Sequence, residues 1–448
     1  MKLLEVYIWD KRVGYLSWDE KNNLSSFRYD KDFLSSGLQI APLTMPLSNQ
    51  IFSFPENKTK CLKALPSVFA DSLPDAFGDK LIDDYFSAHN LNNILINPLH
   101  KLSYIGQRGM GALEYKPQIV GTAEKSEIIE IGKLQEMANM VLSSRQNFRD
   151  RILNDDRSIL DILKIGTSAG GAKPKAIIAY NKDTHEVRSG QVKAPNGFGY
   201  YLLKFDGQVS DLNVGNGKDD GSAMLSHGIG NIEYAYYLMA TACGINMSEC
   251  NILQEGGFSH FITKRFDRTD TSEKIHTQTL TGIANLDRDS KISYNELFRV
   301  ASLLNFSKQE IQQIYTRMVF NLIAHNHDDH AKNHSFLMDK DGKWHLAPAY
   351  DICYSYNPNG SFTKEHQMAI NGKSSDITYD DLMQVAKLKG IQNADDIITK
   401  INATVADWKV FAKEAGVRND FASEIEKNLL HIEKKPIQKK KKQIRFKL

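Results

Sequence analysis

The order of two hydrophobic periodicities along the chain is the feature that most constrains its fold. Alternation typical of strands comes first, in "LEVYIWDKRVGYLSW" (4–18), which predicts two strands around a turn at residues 10–12, and in "NLSSFRYD" (23–30). After about residue 266 the apolar residues recur mostly at helical spacing. Strands first and helices later favour an α+β fold in two lobes.

Length and composition limit the class of protein. The 448 residues suggest two or three structural units, and 41% hydrophobic with 25% charged residues is ordinary for a globular chain. No run reaches the ~18 apolar residues that a membrane helix needs, and the start of the chain does not resemble a signal peptide. Four scattered cysteines without paired spacing predict a reducing, cytoplasmic environment.

The C-terminal end carries a charge asymmetry. Residues 434–448 hold eight positive charges and no acid, so the preceding part of a chain with net charge +2 is formally −6. A frayed, solvated terminus is the simpler interpretation of this tail. Contact with nucleic acid or another polyanion is the alternative.

One helix leads directly into a histidine-rich segment. In "SKQEIQQIYTRMVFNLIA" (307–324), Ser307 and Glu310 fit a capping box at the start of a long amphipathic helix. The chain then reads "HNHDDHAKNHSF" (325–336), which contains four of the 13 histidines. A metal site, group-transfer chemistry and a solvated loop are the three interpretations.

Spacing argues against a metal site here. His330 and His334 would share a helical face only if the helix continued, but the following residues predict a hairpin around "DKDG" (339–342). A calcium loop at "NLDRDSKISYNE" (285–296) is a second alternative, although Ser290 stands where that loop requires glycine. Both metal interpretations remain minor alternatives.

Phosphoryl transfer fits the spacing better. Asp328 and Asn333 are five residues apart, and Asp351 in "LAPAYDI" (346–352) follows the predicted hairpin, as in protein kinases. A carboxylate can orient a hydroxyl and accept its proton, while amide and carboxylate oxygens suit Mg²⁺.

Upstream residues complete the kinase order. Lys204 ends the strand-like "YYLLKF" (200–205), and Glu233 at the start of the next predicted helix is its candidate ion-pair partner. A strand lysine alone is weak support for a kinase. The support is strong when the lysine is followed in kinase order by a glutamate, an Asp-x4-Asn element and a second aspartate. The loop "GTSAGGAKPK" (166–175) can cover phosphates, yet Ala172 replaces the lysine that a P-loop requires.

Six segments together resemble the HipA-type serine/threonine kinases, the toxins of bacterial toxin–antitoxin pairs. The resemblance extends over about residues 1–390. The segments are "FADSLPDAFGDKL" (69–81), "YIGQRGMGALEY" (104–115), "GTSAGGAKPKA" (166–176), "YLLKFD" (201–206), "DDHAKNHSFL" (328–337) and "LAPAYDI" (346–352).

The resemblance implies a role for each site residue in a two-lobed, protein-kinase-like fold. Asp328 would be the catalytic base, Asn333 and Asp351 the Mg²⁺ ligands, and Lys204 a ligand of the ATP phosphates. Ser168 would be the autophosphorylated, self-inactivating serine. The other residues implied at the ATP site are Ala169, Gly170, Gly171, Lys175, Phe266 near the adenine and His330, which also braces the loop.

The resemblance also implies partners and a domain order. The substrate would be a protein, expected to be an aminoacyl-tRNA synthetase whose modification arrests translation and growth, and the partner a HipB-like helix-turn-helix antitoxin that binds operator DNA. The predicted segments are a β-rich N-terminal subdomain at 1–115, a small lobe with the phosphate loop at 116–266, a helical C-terminal lobe with the catalytic loop at 267–433, and the basic tail at 434–448.

Some residues depart from the expected patterns. Asn326 replaces the histidine that precedes the catalytic aspartate by two residues in ordinary kinases, and Lys264 is unusual beside the hinge. The phosphate loop is a basic variant, and the tail lies outside the resemblance. A small-molecule or lipid kinase, and a catalytically silent corepressor that acts through an antitoxin and DNA, therefore remain alternatives.

Overall fold

A computed structural model describes residues 1–74, 76–88, 96–119, 126–143, 175–209, 225–360 and 362–434. Within these residues the chain forms a β-rich N-terminal subdomain, a small lobe built on an antiparallel sheet, and a mostly helical C-terminal lobe. The α+β class predicted from the order of the periodicities is confirmed.

The N-terminal subdomain contains a five-stranded antiparallel sheet. Its first hairpin turns at Trp9 and Asp10, both with positive φ, slightly before the predicted turn. The elements are β1 (Leu3–Ile8), β2 (Lys11–Asp19), β3 (Leu24–Tyr29), α1 (Lys31–Leu34), β4 (Ile51–Phe52), α2 (Ser67–Ala70), α3 (Ala76–Ala88), α4 (Pro98–Ile105) and β5 (Leu113–Lys116). The strand order is β4-β3-β2-β1-β5.

The small lobe is a second five-stranded antiparallel sheet with a helix against it. The elements are α5 (Ile131–Ser143), β6 (Lys175–Tyr180), β7 (Val187–Ser189), β8 (Gly199–Lys204), β9 (Gln208–Val209), β10 (Leu225–Ser226), α6 (Ile229–Ala242), β11 (Cys250–Glu255) and β12 (Phe258–Lys264). The order β11-β12-β8-β6-β7 puts β8, with Lys204, at the centre of the sheet. The segment "NIEYAYYLMATACG" (231–244) predicts a helix with Asn231 as its N-cap, but α6 begins earlier and its N-cap is Gly228. The Asn231 side chain instead donates to Gly416 O.

The C-terminal lobe combines helices with a three-stranded sheet in the order β13-β15-β16. The elements are β13 (His276–Thr279), α7 (Leu280–Ala284), β14 (Ile292–Ser293), α8 (Tyr294–Leu303), α9 (Lys308–Ile323), a 3₁₀ turn (Ala331–Asn333), β15 (Ser335–Met338), β16 (Trp344–Leu346), β17 (Met368–Ala369), α10 (Tyr379–Lys389), α11 (Ala394–Ala406), α12 (Trp408–Glu414) and α13 (Asn419–Asn428). The predicted hairpin is β15–β16. The segment "ADDIITKINATVADWKVFAKEAG" (394–416) predicts one helix, but it divides at Asp407 into α11 and α12.

The N-terminal subdomain and the C-terminal lobe share one hydrophobic core. Phe69 of α2, Leu280 of α7, Tyr236 of α6 and Leu322 of α9 all belong to the same cluster of buried side chains. A smaller cluster lies under the small-lobe sheet. The divisions at residues 115, 266 and 433 stay predictions. In the described part of the chain, no helix combines the length and apolar character needed to span a bilayer.

The capping box of α9 stabilises the helix that leads into the histidine-rich segment. The Glu310 N–H donates to Ser307 Oγ at 3.3 Å, and Glu310 Oε2 accepts from the Ser307 N–H at 2.8 Å, as predicted. We expect Ser307→Ala to lower the free energy of unfolding by about 1 kcal/mol, measured by urea denaturation.

Ser302→Ala is the matched control for this prediction. Its hydroxyl donates only to Phe298 O within α8, a contact that does not favour a helix, so the variant should be as stable as the parent chain. Equal stabilities for Ser307→Ala and the parent would contradict the role of the cap.

Candidate active site

Lys204 lies where both lobes meet. It ends the central strand β8 and pairs in register with Lys175 on β6 and Phe261 on β12. Its Nζ contacts Glu233 Oε1 at 2.5 Å and Asp351 Oδ1 at 2.5 Å. One ammonium therefore joins a strand and a helix of the small lobe to a loop of the C-terminal lobe.

The charges around Lys204 compensate one another. Lys175 is 6% exposed, and two lysines directly opposite in a sheet repel unless carboxylates accompany them. Burial alone would lower the pKa of Lys204, but Asp351 and Glu233 outweigh it and raise that pKa above its usual value. Burial likewise opposes the Asp351 carboxylate, yet Lys204 and Lys175 hold its pKa well below the usual range. Burial raises the pKa of Glu233 against the opposing effect of Lys204.

Helix α6, which carries Glu233, is fixed from both lobes. Gly230 packs so closely on β12 that a Cβ there would lie 2.3 Å from Ser259 O. On the other side, the Tyr236 hydroxyl donates to Ala324 O at 2.6 Å, and its ring packs 5.5 Å from that of Trp408. The position of Glu233 therefore depends on contacts with both lobes.

Asp328 and Asn333 lie on the segment between α9 and β15. His325, with φ of 53°, reverses the chain after α9, and Asn333 ends the 3₁₀ turn. Asn333 Nδ2 donates to the backbone O of Asp328 at 2.8 Å, which leaves the amide oxygen for another partner. The Asp328 side chain is 45% exposed, and its Oδ1 lies 3.6 Å from His330 Nε2. Partial burial raises the pKa of Asp328, while His330 opposes that rise.

Asn333 and Asp351 meet at one small cavity. Both line it, together with Tyr350, whose hydroxyl donates to Lys332 O at 2.6 Å. Asp351 has φ of 55°, a left-handed conformation that is rare for a residue with a side chain and is often found at functional sites. The cavity is thus lined by an asparagine and an aspartate from two different loops.

A directed series of hydrogen bonds supports the main chain of Asp328. Its N–H donates to Ser355 Oγ at 2.8 Å, and the Ser355 hydroxyl donates to Asn326 Oδ1 at 3.2 Å. Asn326 Nδ2 donates to Asn321 Oδ1 at 3.0 Å, and Asn321 Nδ2 to the Tyr294 hydroxyl oxygen at 2.9 Å. Asn326, the departure from the ordinary kinase pattern, is therefore a central member of this series.

The series ends on Asp329, a buried carboxylate that sequence reasoning did not select. Its Oδ2 accepts from the Tyr294 hydroxyl at 2.9 Å and lies 3.1 Å from His366 Nδ1. Its Oδ1 accepts from the N–H groups of Gln367 at 2.9 Å and Met368 at 3.3 Å. Burial opposes its charge, but these partners, His366 foremost, hold the pKa of Asp329 below the usual value.

The histidines form a packed group. The rings of His325 and His327 stack at 4.9 Å, and those of His327 and His366 lie 4.1 Å apart. Burial lowers the pKa of His325 and of His334 to about 4 and that of His327 to about 3, so these three are neutral at pH 7. Across the described ranges, no three His, Cys, Asp or Glu side chains come together as a metal site.

The candidate calcium loop uses its oxygens elsewhere. The amide of Asn285 exchanges two hydrogen bonds with that of Asn57, at 2.7 and 3.0 Å. Glu296 forms an ion pair with Arg299 at 2.7 Å, and α8 begins at Tyr294. These contacts hold side chains that a calcium ion would need.

The remaining predicted residues are Phe266 and four loop residues that lie outside the described ranges. Phe266 follows β12, its ring lies 5.4 Å from that of Tyr350, and its main chain makes no hydrogen bond to the residues that the structure describes. The predicted loop residues Ser168, Ala169, Gly170 and Gly171 lie outside the described residues.

Comparisons with known proteins agree with this geometry. The family model of the HipA-like C-terminal domain matches residues 167–408, and that of the HipA N-terminal domain matches residues 4–116. A curated relative, the serine/threonine-protein kinase toxin HipA of Shewanella oneidensis, is 23% identical over 398 residues, which cover 82% of this chain and 78% of the relative. A putative kinase of Haemophilus influenzae is 27% identical over 104 residues, 20% of this chain and 30% of the relative.

A solved structure shares the fold. It is a chain from the complex of HipA, HipB and operator DNA of Shewanella oneidensis MR-1, with a TM-score of 0.66, 18% identity and coverage of 95% of both chains. This likeness confirms the two-lobed, protein-kinase-like fold predicted from the sequence.

Asp329 gives a test of the network. Asp329→Asn keeps one acceptor oxygen but places an amide against Tyr294 and His366, so we expect a loss of about 2 kcal/mol in unfolding free energy at pH 7. Because the folded-state pKa is lowered, the charge stabilises the fold above the unfolded value of ~3.9, and this contribution is lost as pH falls through the folded-state pKa.

Urea denaturation of both forms across pH checks this prediction. The gap between parent and variant should be constant at neutral pH and should narrow below about pH 4. A gap that does not change on acidification would show that the charge of Asp329 does not stabilise the fold.

Proposed function

The chain belongs to the HipA family of serine/threonine kinase toxins, and from this premise we propose that it transfers the γ-phosphoryl group of ATP to a protein hydroxyl in an Mg²⁺-dependent reaction. The observation that carries the proposal is the contact of Lys204 with both Glu233 and Asp351, opposite a loop that presents Asp328 to solvent. Phosphoryl transfer needs positioned cations, a metal-binding carboxylate and a hydroxyl-orienting carboxylate together.

The residues present fit a magnesium ion. Asn333 and Asp351 line one cavity with oxygen donors, the ligand type that Mg²⁺ prefers. The Asn333 amide is oriented by its Nδ2 donation to Asp328 O, and the lowered pKa of Asp351 keeps its carboxylate ionised. When bound there, the ion would neutralise phosphate charge that develops during transfer.

Lys204 and Lys175 would bind the phosphates. Their side chains are cross-strand neighbours in the small-lobe sheet, and Glu233 orients the Lys204 ammonium. Phe266, whose ring lies 5.4 Å from that of Tyr350, is proposed to lie beside the adenine on the strength of the family resemblance. The loop residues Ser168, Ala169, Gly170 and Gly171 are proposed to cover the phosphates on the strength of the family resemblance.

Asp328 would orient the acceptor hydroxyl and receive its proton. The carboxylate is 45% exposed, so a substrate can reach it, and its main chain is held by Ser355 and Asn333. Its raised pKa makes it a better proton acceptor than an ordinary aspartate. His330, 3.6 Å away, limits this rise and braces the loop.

The biological setting is proposed from relatives. The Shewanella structure contains HipA with HipB and operator DNA, which supports a HipB-like helix-turn-helix antitoxin as partner of this chain and operator DNA as an indirect partner. An aminoacyl-tRNA synthetase as substrate, autophosphorylation at Ser168 and action in the cytoplasm are proposed from the resemblance, and four cysteines that form no disulfide suit a reducing compartment. Contact of the basic tail with DNA stays a prediction, because residues 435–448 lie outside the described ranges.

Labelled ATP with Mg²⁺ tests the activity. The parent chain should label protein serine or threonine, including Ser168, and Asp328→Asn should reduce the rate by about 10²–10⁴-fold because the base is lost. Asp341→Asn, an exposed aspartate in the β15–β16 turn, is the matched control and should keep full activity.

Other outcomes would favour other functions. Label on a lipid or metabolite but never on protein would support a small-molecule kinase. Equal results for the parent chain and Asp328→Asn, with no label in either, would support a silent corepressor.

The pH dependence tests Asp328 as the base. The rate should rise with pH as Asp328 loses its proton, and this acid limb should lie above the ~3.9 of an ordinary aspartate. Because His330 lowers the pKa of Asp328, His330→Ala should move the limb to still higher pH in steady-state rate profiles. An unchanged or lower limb in that variant would contradict the assignment.

A further inference from the structure

The segment "FADSLP" (69–74) belongs to the N-terminal subdomain and has no role in the proposed reaction. Asp71, the C-cap of α2, nevertheless reaches the C-terminal lobe. Its Oδ2 accepts from the Thr279 N–H at 2.7 Å, and its Oδ1 accepts from the Thr279 hydroxyl at 2.7 Å. Both oxygens of one carboxylate therefore hold the last residue of β13.

The N-terminal subdomain and the C-terminal lobe approach closely at this contact. A Cβ on Gly282 of α7 would lie 2.6 Å from Asp71 Oδ2, so the close approach requires a glycine. Ser67 Oγ donates to Gly282 O at 2.6 Å, and Thr279 Oγ1 also accepts from the Gly282 N–H as the cap of α7. Helices α2 and α7 are thus fixed to each other at the residue that Asp71 binds.

The contact continues into the loop that carries Asn333. Leu280, next to Thr279, donates its N–H to His334 O at 2.7 Å. Thr279 itself pairs with Ser335 in the β13–β15 ladder. Thr279 and Leu280 therefore bind the two residues that directly follow the 3₁₀ turn, which ends at Asn333.

The same contact lies close to the loop that carries Asp351. The Tyr350 hydroxyl bonds Ser335 Oγ at 2.5 Å and Lys332 O at 2.6 Å, so Tyr350 joins the two loops. Ser335 is also the partner of Thr279 in the β13–β15 ladder, so the residue that Asp71 binds is connected through Ser335 to the residue before Asp351.

We propose that Asp71 is a positioning residue for the phosphoryl-transfer site, through which the N-terminal subdomain holds the Asn333 loop and the Asp351 loop in register. The proposal rests on the proposed function for its effect on nucleotide binding. The N-terminal subdomain then contributes directly to the geometry of the catalytic site.

Two readouts on the full-length chain test this role. Asp71→Asn replaces an acceptor oxygen with a donor that faces the Thr279 N–H or its hydroxyl, so amide hydrogen exchange in residues 329–338 of the nucleotide-free protein should accelerate about tenfold. The affinity for a non-hydrolysable ATP analogue with Mg²⁺, measured by calorimetry, should fall about tenfold. The reason is that Asn333 and Asp351, the proposed Mg²⁺ ligands, lose their positions relative to each other.

Matched variants separate positioning from general stability. Asp30→Asn removes a carboxylate of the same subdomain, which binds Arg12 and caps α1, so it should leave both readouts unchanged even if it lowers the melting temperature. Thr279→Ser keeps the hydroxyl that Asp71 binds, so both readouts should match those of the parent. Thr279→Val lacks this hydroxyl, so exchange should accelerate and nucleotide affinity should fall, as in Asp71→Asn.

The proposal is overturned if Asp71→Asn, folded at the assay temperature, shows parent-like exchange in residues 329–338. Parent-like nucleotide affinity in that variant would equally refute the positioning of the ligands. If the parent chain itself binds no Mg²⁺–nucleotide analogue, the proposed function fails, and the exchange measurement still decides whether Asp71 supports the loop.

Discussion

The contact of the Lys204 ammonium with Glu233 and Asp351 is the interaction on which the arrangement of the site depends. It joins the centre of the small-lobe sheet, the helix beside it and a loop of the other lobe, and none of these three elements could be displaced without leaving a charge unpaired in a partly buried site. Breaking such a pair costs more than forming it gains, because the partner that remains is already desolvated. The lobes are therefore joined by an electrostatic contact in addition to the apolar core that they share.

The sequence predicted well those features that depend on local periodicity and spacing. Strands β1 to β3, the capped helix α9 and the β15–β16 hairpin follow from patterns within a few residues, and the order of Lys204, Glu233, Asp328, Asn333 and Asp351 led to residues that the fold does bring into one region. The start of α6 was misjudged, since an asparagine is a common cap, whereas here the helix begins earlier behind Gly228 and Asn231 instead bonds Gly416 O, 185 residues further along the chain. Long-range hydrogen bonds of this kind leave no periodic signal.

The neighbouring aspartates 328 and 329 show the same limit at the site. Both are aspartates, but the side chain of Asp328 is 45% exposed, whereas that of Asp329 is fully buried among Tyr294, His366 and two backbone amides. Spacing from Asn333 identified the exposed aspartate, while nothing in a single sequence indicates that the adjacent one organises the interior of the loop. The histidines attracted attention for their ligand chemistry, yet burial makes several of them neutral packing groups.

The shared core of the N-terminal subdomain and the C-terminal lobe has a consequence for how such chains can recombine during evolution. Two family models describe residues 4–116 and 167–408 as separate regions, but the pairs Asn57–Asn285 and Asp71–Thr279, and the close packing at Gly282, couple these regions by direct contact. A gene fusion that exchanged one region between distant relatives would therefore have to carry the matching surface of the other region with it.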